Sequence, residues 1–244
     1  MVWRPAHRAR WRQTVSAART PIGRAVVLLS GGLDSTTAAY LARAQGYELY
    51  ALSFDYGQLH RRELESAATV ARAVGAVEHR VVTIDLAQWG GSSLTGAGPI
   101  PTEPTTGIPS TWVPARNLIF LAVASGYAEV IGASAIVIGV SQVDYSGYPD
   151  CRGEFLEAYQ RAADLASKQF VEEGKRIPVL APFLYLPKAG IVRLGLALGV
   201  DYSLTWSCYQ GGDRPCGACD SCRLRARAFA EAGVPDPLLS SARP

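Results

Sequence analysis

Acid is missing from the first 33 residues of this chain, and lysine and histidine each occur only three times in its 244 residues. The leading 24 residues carry six arginines (Arg4, Arg8, Arg10, Arg12, Arg19, Arg24). The body beyond them sets 18 basic residues against all 21 acids, a balance of −3 hidden beneath a formal net charge of +3. A broad basic face for nucleic acid is thereby excluded. No apolar core follows the N-terminal arginines, so no secretory signal is read there. Residues 1–24 read as a disordered basic leader outside the chemistry, with an acid-free targeting peptide as the other reading. An uninterrupted membrane-length apolar run is also missing. The stretch 118–140 contains Glu129 and is divided at Gly132–Ser134, which fits a buried helix and then a buried strand. Five cysteines, an odd number with four crowded into 208–222, do not make a secreted disulfide framework. Repeats and low-complexity tracts are absent. The expectation is a cytoplasmic protein with no membrane contact.

What is present is a large core. Hydrophobic residues make up 48% and charged residues 18%, which excludes a disordered chain. Apolar runs at 25–30, 48–57, 79–86 and 135–140 read as strands. Helical spacing at 36–44, 60–76, 117–131, 154–172 and 187–198 separates or follows them. Strands alternating with helices predict an α/β fold with a doubly wound parallel sheet. The β-branched content of strands one, three and four suggests burial on both faces. Residues 25–205 are assigned to this nucleotide-binding domain and 206–244 to a cysteine-bearing tail with a terminal helix. The segment 87–113, rich in Gly, Pro, Ser and Thr, is a candidate lid.

The first strand runs into Leu29-Ser30-Gly31-Gly32-Leu33-Asp34-Ser35-Thr36-Thr37. In open α/β sheets ligands bind at this edge. Two glycines let backbone N–H groups approach an anion, and the helix start adds its unpaired N–H groups and positive dipole end. Hydroxyls of Ser30, Ser35, Thr36 and Thr37 supplement them. No lysine follows the glycines, so this is not the usual P-loop. Asp34 would repel phosphate unless it holds a cation, for which Mg2+ is the candidate, or caps the helix. The plain alternative is an ordinary strand–turn–helix with Asp34 or Ser35 at the cap.

Ser30–Ser35, SGGLDS, resembles the pyrophosphate loop (PP-loop) of the ATP pyrophosphatase superfamily, whose fold is adenine nucleotide alpha hydrolase-like. That resemblance implies cleavage of ATP to AMP and pyrophosphate with adenylation of a carbonyl oxygen. Four further stretches narrow it: FDYGQLHRRELESA (54–67), VPARNLIFLAVA (113–124), GVSQVDYSGYPDCRGEFLEA (139–158) and the cysteine cluster. Together, from about Ala25 to about Val234, they resemble the 7-cyano-7-deazaguanine synthase family. Two departures stand out. Ala115 occupies a position that is often Gly in the family, and Gly190 follows Lys188-Ala189 where the family often has Glu.

Several residues are candidates for the adenine or substrate edge. Phe54, Asp55 and Tyr56 end the second strand and could frame the adenine. Arg116, next to Asn117 at a helix start, could meet the substrate carboxylate or a phosphate with a bidentate fork. Asp144, Tyr145, Tyr148, Asp150 and Arg152 follow the fourth strand; an Asp could accept the N–H edge of a deazaguanine and a Tyr could cover its face. Loop salt bridges explain each of these equally well when taken singly. Lys188 could contact phosphate or stand at the surface, and His60 reads as a surface histidine that could reach the substrate. Cys151 reads as a packed thiol.

Cys208, Cys216, Cys219 and Cys222, with seven, two and two residues between them, can close a tetrahedral thiolate shell. Four sulfurs leave no open position, so a structural Zn2+ is expected, with an iron–sulfur cluster as the competing reading. The resemblance implies a ligase that consumes two ATP. It would convert 7-carboxy-7-deazaguanine and ammonia to the amide and then to the nitrile used in queuosine biosynthesis. It also implies a homodimer. No glutaminase segment is present, so ammonia is expected to be taken free. The rival readings are a tRNA-modifying PP-loop enzyme and a non-catalytic nucleotide-binding zinc-ribbon protein.

Overall fold

The computed structural model describes residues 20–240 apart from 97, 104–106 and 142–146. Most of the expected leader, together with Asp144 and Tyr145, lies outside the described residues. Five strands, β1 (Gly23–Leu28), β2 (Tyr47–Asp55), β3 (Glu78–Thr83), β4 (Ala135–Val137) and β5 (Val179–Leu180), form one sheet in the order β3-β2-β1-β4-β5. Every pairing is parallel: Ala25 of β1 stands opposite Leu49 of β2 and Ala135 of β4. Eight helices complete the described fold: α1 (Leu33–Ala44), α2 (Arg62–Val74), α3 (Arg116–Val130), α4 (Gly153–Ala166), α5 (Lys168–Glu173), α6 (Lys188–Ala197), α7 (Asp220–Ala232) and α8 (Pro237–Ser240). The expected doubly wound α/β architecture is present.

Alternation along the strands builds two cores. Ala25, Val27, Leu49, Ala51 and Val137 face α1, α2, α6 and α7, while Val26, Leu28, Leu52, Phe54 and Ile136 face α3 and α4. Each fully buried Val, Leu or Phe contributes roughly 1.5–3 kcal/mol, so the two-sided pattern fixes the register of the central strands. Strand order reverses between β1 and β4, and at that switch point the carboxyl ends of the strands part to leave a crevice.

Four details differ from expectation. The first strand starts at Gly23, with the Ser134 N–H donating to the Arg24 carbonyl at 2.8 Å. Strand three is an edge strand with Val81 half exposed, because nothing pairs beyond it. The helix expected over 154–172 breaks at Ser167, whose extended backbone ends α4 and whose hydroxyl accepts from the Phe170 N–H to start α5. The segment 87–113 is partly folded down: two short 3-10 turns (Ala87–Trp89 and Ser93–Thr95) are held by Ser93 N–H to the Ser110 carbonyl and Leu59 N–H to the Leu94 carbonyl.

The tail closes on the body through α7, which packs on α6. Buried Arg225 fixes it, donating to both carboxylate oxygens of Asp236 at 2.7 and 2.9 Å, to Thr205 Oγ1 and to the Tyr202 carbonyl. A buried charge is tolerable here because almost every donor is matched. Among the described residues no helix is long and apolar enough to cross a membrane.

Candidate active site

The turn after β1 owes its shape to two different glycines. Gly31 adopts φ +78°, and a Cβ on it would meet the Glu63 carbonyl oxygen and the Ala67 nitrogen at 2.5 Å, so α2 sits directly on the turn. Gly32 is extended (φ −82°, ψ 174°) and stands at the N-cap of α1 with no side chain capping the helix. Neither Asp34 nor Ser35 caps, so the first-turn N–H groups keep the open, positive end that binds anions. The Ser35 hydroxyl instead braces the turn, 3.2 Å from the Ser30 N–H, 3.0 Å from Ser30 Oγ and 3.3 Å from the Gly32 carbonyl. Gly139, just past β4, abuts the same turn: a Cβ there would lie 2.8 Å from the Asp34 carbonyl carbon.

This turn opens into a cavity of about 980 Å³. Leu29, Ser30, Gly32, Leu33, Asp34 and Ser35 line it on one side, Phe54, Tyr56, Arg116, Asn117 and Tyr148 on another, and Lys188 at the rim. Asp34 Oδ2 accepts from Lys188 Nζ at 2.7 Å, whereas Asp34 Oδ1 is buried and has no partner among the described residues. An orphaned carboxylate oxygen beside an uncapped helix N-terminus is a fitting ligand for a divalent cation.

An aromatic wall faces the turn. The Phe54 and Phe120 rings stack at 3.9 Å with a 4° interplanar angle, and Tyr56 tilts against Phe120 at 5.6 Å. Arg116 runs between Tyr56 and Tyr148, its guanidinium 5.7 and 5.8 Å from their rings, and donates to Tyr56 Oη at 3.4 Å. Burial pushes the Tyr56 phenol up, so it stays protonated at neutral pH. Tyr148 Oη lies 2.8 Å from Thr111 Oγ1, tying the 87–113 segment to this wall. Glu63, from the first turn of α2, also lines the cavity. Its carboxyl is pushed up to about 7 by burial, against the opposing pull of the Arg116 charge and a hydrogen bond from Gln58.

Other candidates fall outside the cavity wall. Thr36 and Thr37 turn inward with the helix and do not line the cavity; Thr37 Oγ1 donates to the Leu33 carbonyl and meets Tyr202 Oη at 2.8 Å, while Thr36 Oγ1 is buried with no partner among the described residues. Gly31 contributes through backbone shape, its Cα face being taken by α2. Asp55 pairs with Arg61 at 3.0 Å. Asp150 is buried, and its Oδ2 accepts the Asn117 N–H at 2.9 Å, capping the start of α3 from a distance. Asn117 Nδ2 reaches Cys151 Sγ at 3.2 Å, and that buried thiol does border the cavity. Arg152 is half exposed beside Glu154.

The tail supplies the far wall, which the sequence did not announce. The Trp206 N–H donates to the Gly31 carbonyl at 2.9 Å, and the Arg62 guanidinium lies 4.5 Å over the Trp206 ring. His60 borders the cavity and crowds Gly211, where a Cβ would come within 2.2 Å of its ring. Tyr209, whose phenol burial pushes well up, rests against Tyr148. Cys208, Cys216, Cys219 and Cys222 converge, all four sulfurs within 4.8 Å of one another. A hydrogen bond from Cys222 holds the Cys219 thiol down, while that bond and burial drive Cys222 up. Four sulfurs at this spacing fit one four-coordinate metal.

Residues 24–233 match the family described as "Queuosine biosynthesis protein QueC". A 7-cyano-7-deazaguanine synthase of Pseudomonas syringae is 58% identical over 217 residues, covering 88% of this chain and 96% of its own. The 7-cyano-7-deazaguanine synthase of Cellvibrio japonicus is 55% identical with the same coverage. Among solved structures, an NMN synthetase from Francisella tularensis aligns with 91% of this chain and 78% of its own at 19% identity and a TM-score of 0.45, too distant to bear on the site.

Proposed function

The chain belongs to the QueC family of queuosine biosynthesis proteins, and on that premise we propose that it converts 7-carboxy-7-deazaguanine, ammonia and two ATP to 7-cyano-7-deazaguanine, two AMP and two pyrophosphates. The observation that carries the reading is the uncapped first turn of α1 opening into the same cavity as Arg116. Backbone N–H groups behind Gly32, with Ser30 and Ser35, bind the β- and γ-phosphates and hold charge as the α–β bond breaks. Phe54 and Tyr56 offer a flat apolar wall to a heterocycle. Arg116 presents its fork to the substrate carboxylate, orienting the oxygen that attacks the α-phosphorus. Ammonia then displaces AMP, the amide oxygen is adenylated by the second ATP, and loss of AMP leaves the nitrile. The 87–113 segment and the tail exclude water that would hydrolyse the acyl adenylate.

Asp34, through its orphaned Oδ1, is the residue that would hold Mg2+, which when bound neutralises charge on the departing pyrophosphate. The four cysteines would hold Zn2+, which serves to order the tail. A homodimer and a cytoplasmic setting complete the reading.

One assay tests it. Protein, ATP, Mg2+, ammonium and 7-carboxy-7-deazaguanine are combined, and AMP and nitrile are followed. Substrate-dependent AMP with nitrile is the expected result, and Asp34→Ala should abolish AMP formation in a folded protein. AMP that depends on tRNA, or nucleotide binding without AMP, would replace this reading with a tRNA-modifying or a non-catalytic one.

A further inference from the structure

The proposed reaction takes three protons from nitrogen, one as the amide oxygen is adenylated to give an imidate and two with the release of AMP. Attack of ammonia on an acyl adenylate leaves an excess proton on the new C–N nitrogen. The collapse of an adenylated amide to a nitrile requires loss of the last N–H. Each event needs an acceptor inside a cavity built to exclude water.

Three described acids line that cavity, and two are engaged. Asp34 is held by Lys188 and Asp220 by Arg223. Glu63 is in no ion pair among the described residues; one hydrogen bond, from Gln58 Nε2 to Oε1 at 3.0 Å, orients it. Gln58 is itself fixed, with Oε1 accepting the Tyr56 N–H at 2.7 Å and Nε2 donating to the Phe54 carbonyl at 3.2 Å. The main chain of Glu63 is seated on the pyrophosphate turn by the contact that Gly31 permits. The carboxyl is therefore positioned by the same elements that position the nucleotide.

We propose that Glu63 is the proton acceptor for both AMP-releasing steps, an inference that rests on the synthase reading above. In the first step the ammonia lone pair forms the C–N bond, and the C–O bond to AMP breaks with its electron pair leaving on the phosphate oxygen. One N–H proton passes to the Glu63 carboxylate, giving amide, AMP and the carboxylic acid. In the second, the adenylated amide has already given one N–H proton to solvent on becoming an imidate; its remaining N–H proton passes to Glu63 while the C–O bond to AMP breaks with its electron pair leaving on the phosphate oxygen, giving nitrile and AMP. Solvent at the cavity mouth takes the proton between steps.

The charged and titratable groups around Glu63 suit the task. Arg116 from α3 keeps part of the carboxylate form, Tyr56 after β2 is a neutral phenol, Tyr148 before α4 flanks Arg116, and Tyr209 from the tail backs Arg116. His60 shares the same rim of the cavity. A carboxyl poised at about 7 can both accept and release a proton near neutrality.

Glu63→Gln preserves shape and the bond to Gln58. Substrate-dependent exchange of labelled pyrophosphate into ATP should survive in this variant, because adenylation of the carboxylate needs no acceptor on nitrogen. AMP release with ammonium should fall about 100-fold or more and lose its acidic limb near pH 7, and Glu63→Asp should recover part of the rate. Nitrile formation by Glu63→Gln within about threefold of wild type, or an unaltered pH profile, overturns the assignment. In the unaltered enzyme, carboxyl-labelled glutamate spectra should show one group titrating near 7; its absence also overturns it. Failure of wild type to exchange pyrophosphate would instead sink the synthase reading, so the two failures are distinguishable.

Discussion

Exchanging either glycine of the pyrophosphate turn for alanine should give opposite phenotypes. At Gly31 the added methyl must adopt φ +78°, at a cost of about 1–2 kcal/mol. It must also displace two backbone atoms of α2 that stand at 2.5 Å, an overpacking worth about 1–3 kcal/mol because neither atom belongs to a flexible side chain. Reduced freedom of the unfolded chain returns about 0.4–1 kcal/mol. The net is a destabilisation of about 1–4.5 kcal/mol, which for a chain of this size lowers the melting midpoint by roughly 2–18 °C. At Gly32 the backbone is already extended, and the nearest atoms to a Cβ are Ser30 Oγ at 3.5 Å and the Trp206 carbonyl oxygen at 3.6 Å. That variant should lose no more than about 1 kcal/mol, the usual penalty for alanine at a helix cap. Its methyl nevertheless stands among the cavity-lining groups and should block close approach of phosphate. Urea unfolding reports the first effect and calorimetric titration with ATP and Mg2+ the second. A Gly31→Ala protein within 1 kcal/mol of wild type, or a Gly32→Ala protein that binds ATP normally, would refute this account of the turn.

Ala115 is the one described non-glycine residue with a left-handed backbone (φ 56°, ψ 19°), and Ala115→Gly should raise the unfolding free energy measured in urea slightly, by about 0.5 kcal/mol, with activity kept. Cys219→Ser should release the metal and cost at least about 2 kcal/mol, a fall of roughly 4–8 °C in midpoint. Nitrile formation should fall with it, since the tail is a cavity wall, and full activity in metal-free protein would contradict that. Because Glu63 titrates higher folded than unfolded, its contribution to stability is complete below about pH 4 and is lost as pH rises through 7. Glu63→Gln should therefore unfold at a higher urea concentration than wild type at pH 8, and the gap should close at low pH.

The parallel sheet and the strand–turn–helix geometry at residues 30–35 were legible because both rest on local signals: apolar runs of strand length, and glycines at a strand-to-helix junction. What escaped was rotation and reach. SGGLDSTT presents four hydroxyls in one dimension, but one helical turn carries Thr36 and Thr37 into the core while Ser30 and Ser35 remain at the turn. Asp150 looked like a ligand-facing acid and serves α3 as a remote cap, a partnership across 33 residues that no spacing encodes. Glu63 was hidden among His60, Arg61 and Arg62, where an acid in a first helical turn reads as a favourable dipole partner. Its one sequence clue was Gln58, five residues earlier, which reaches it through a side-chain bond. The break at Ser167 also lacked a clear mark, since serine within an amphipathic pattern is common.

The wall formed by Trp206, Tyr209 and α7 has a consequence for the making of the protein. The turn at residues 30–35 leaves the ribosome some 170 residues before the segment that roofs it, a lag of roughly ten to thirty seconds at ordinary translation speed. Throughout that interval a nascent chain can fold its early strands yet lacks an enclosed chamber, so nucleotide that visits it meets bulk water and leaves unspent. Competence arrives late and all at once, when the cysteine-bearing tail brings the final wall into place.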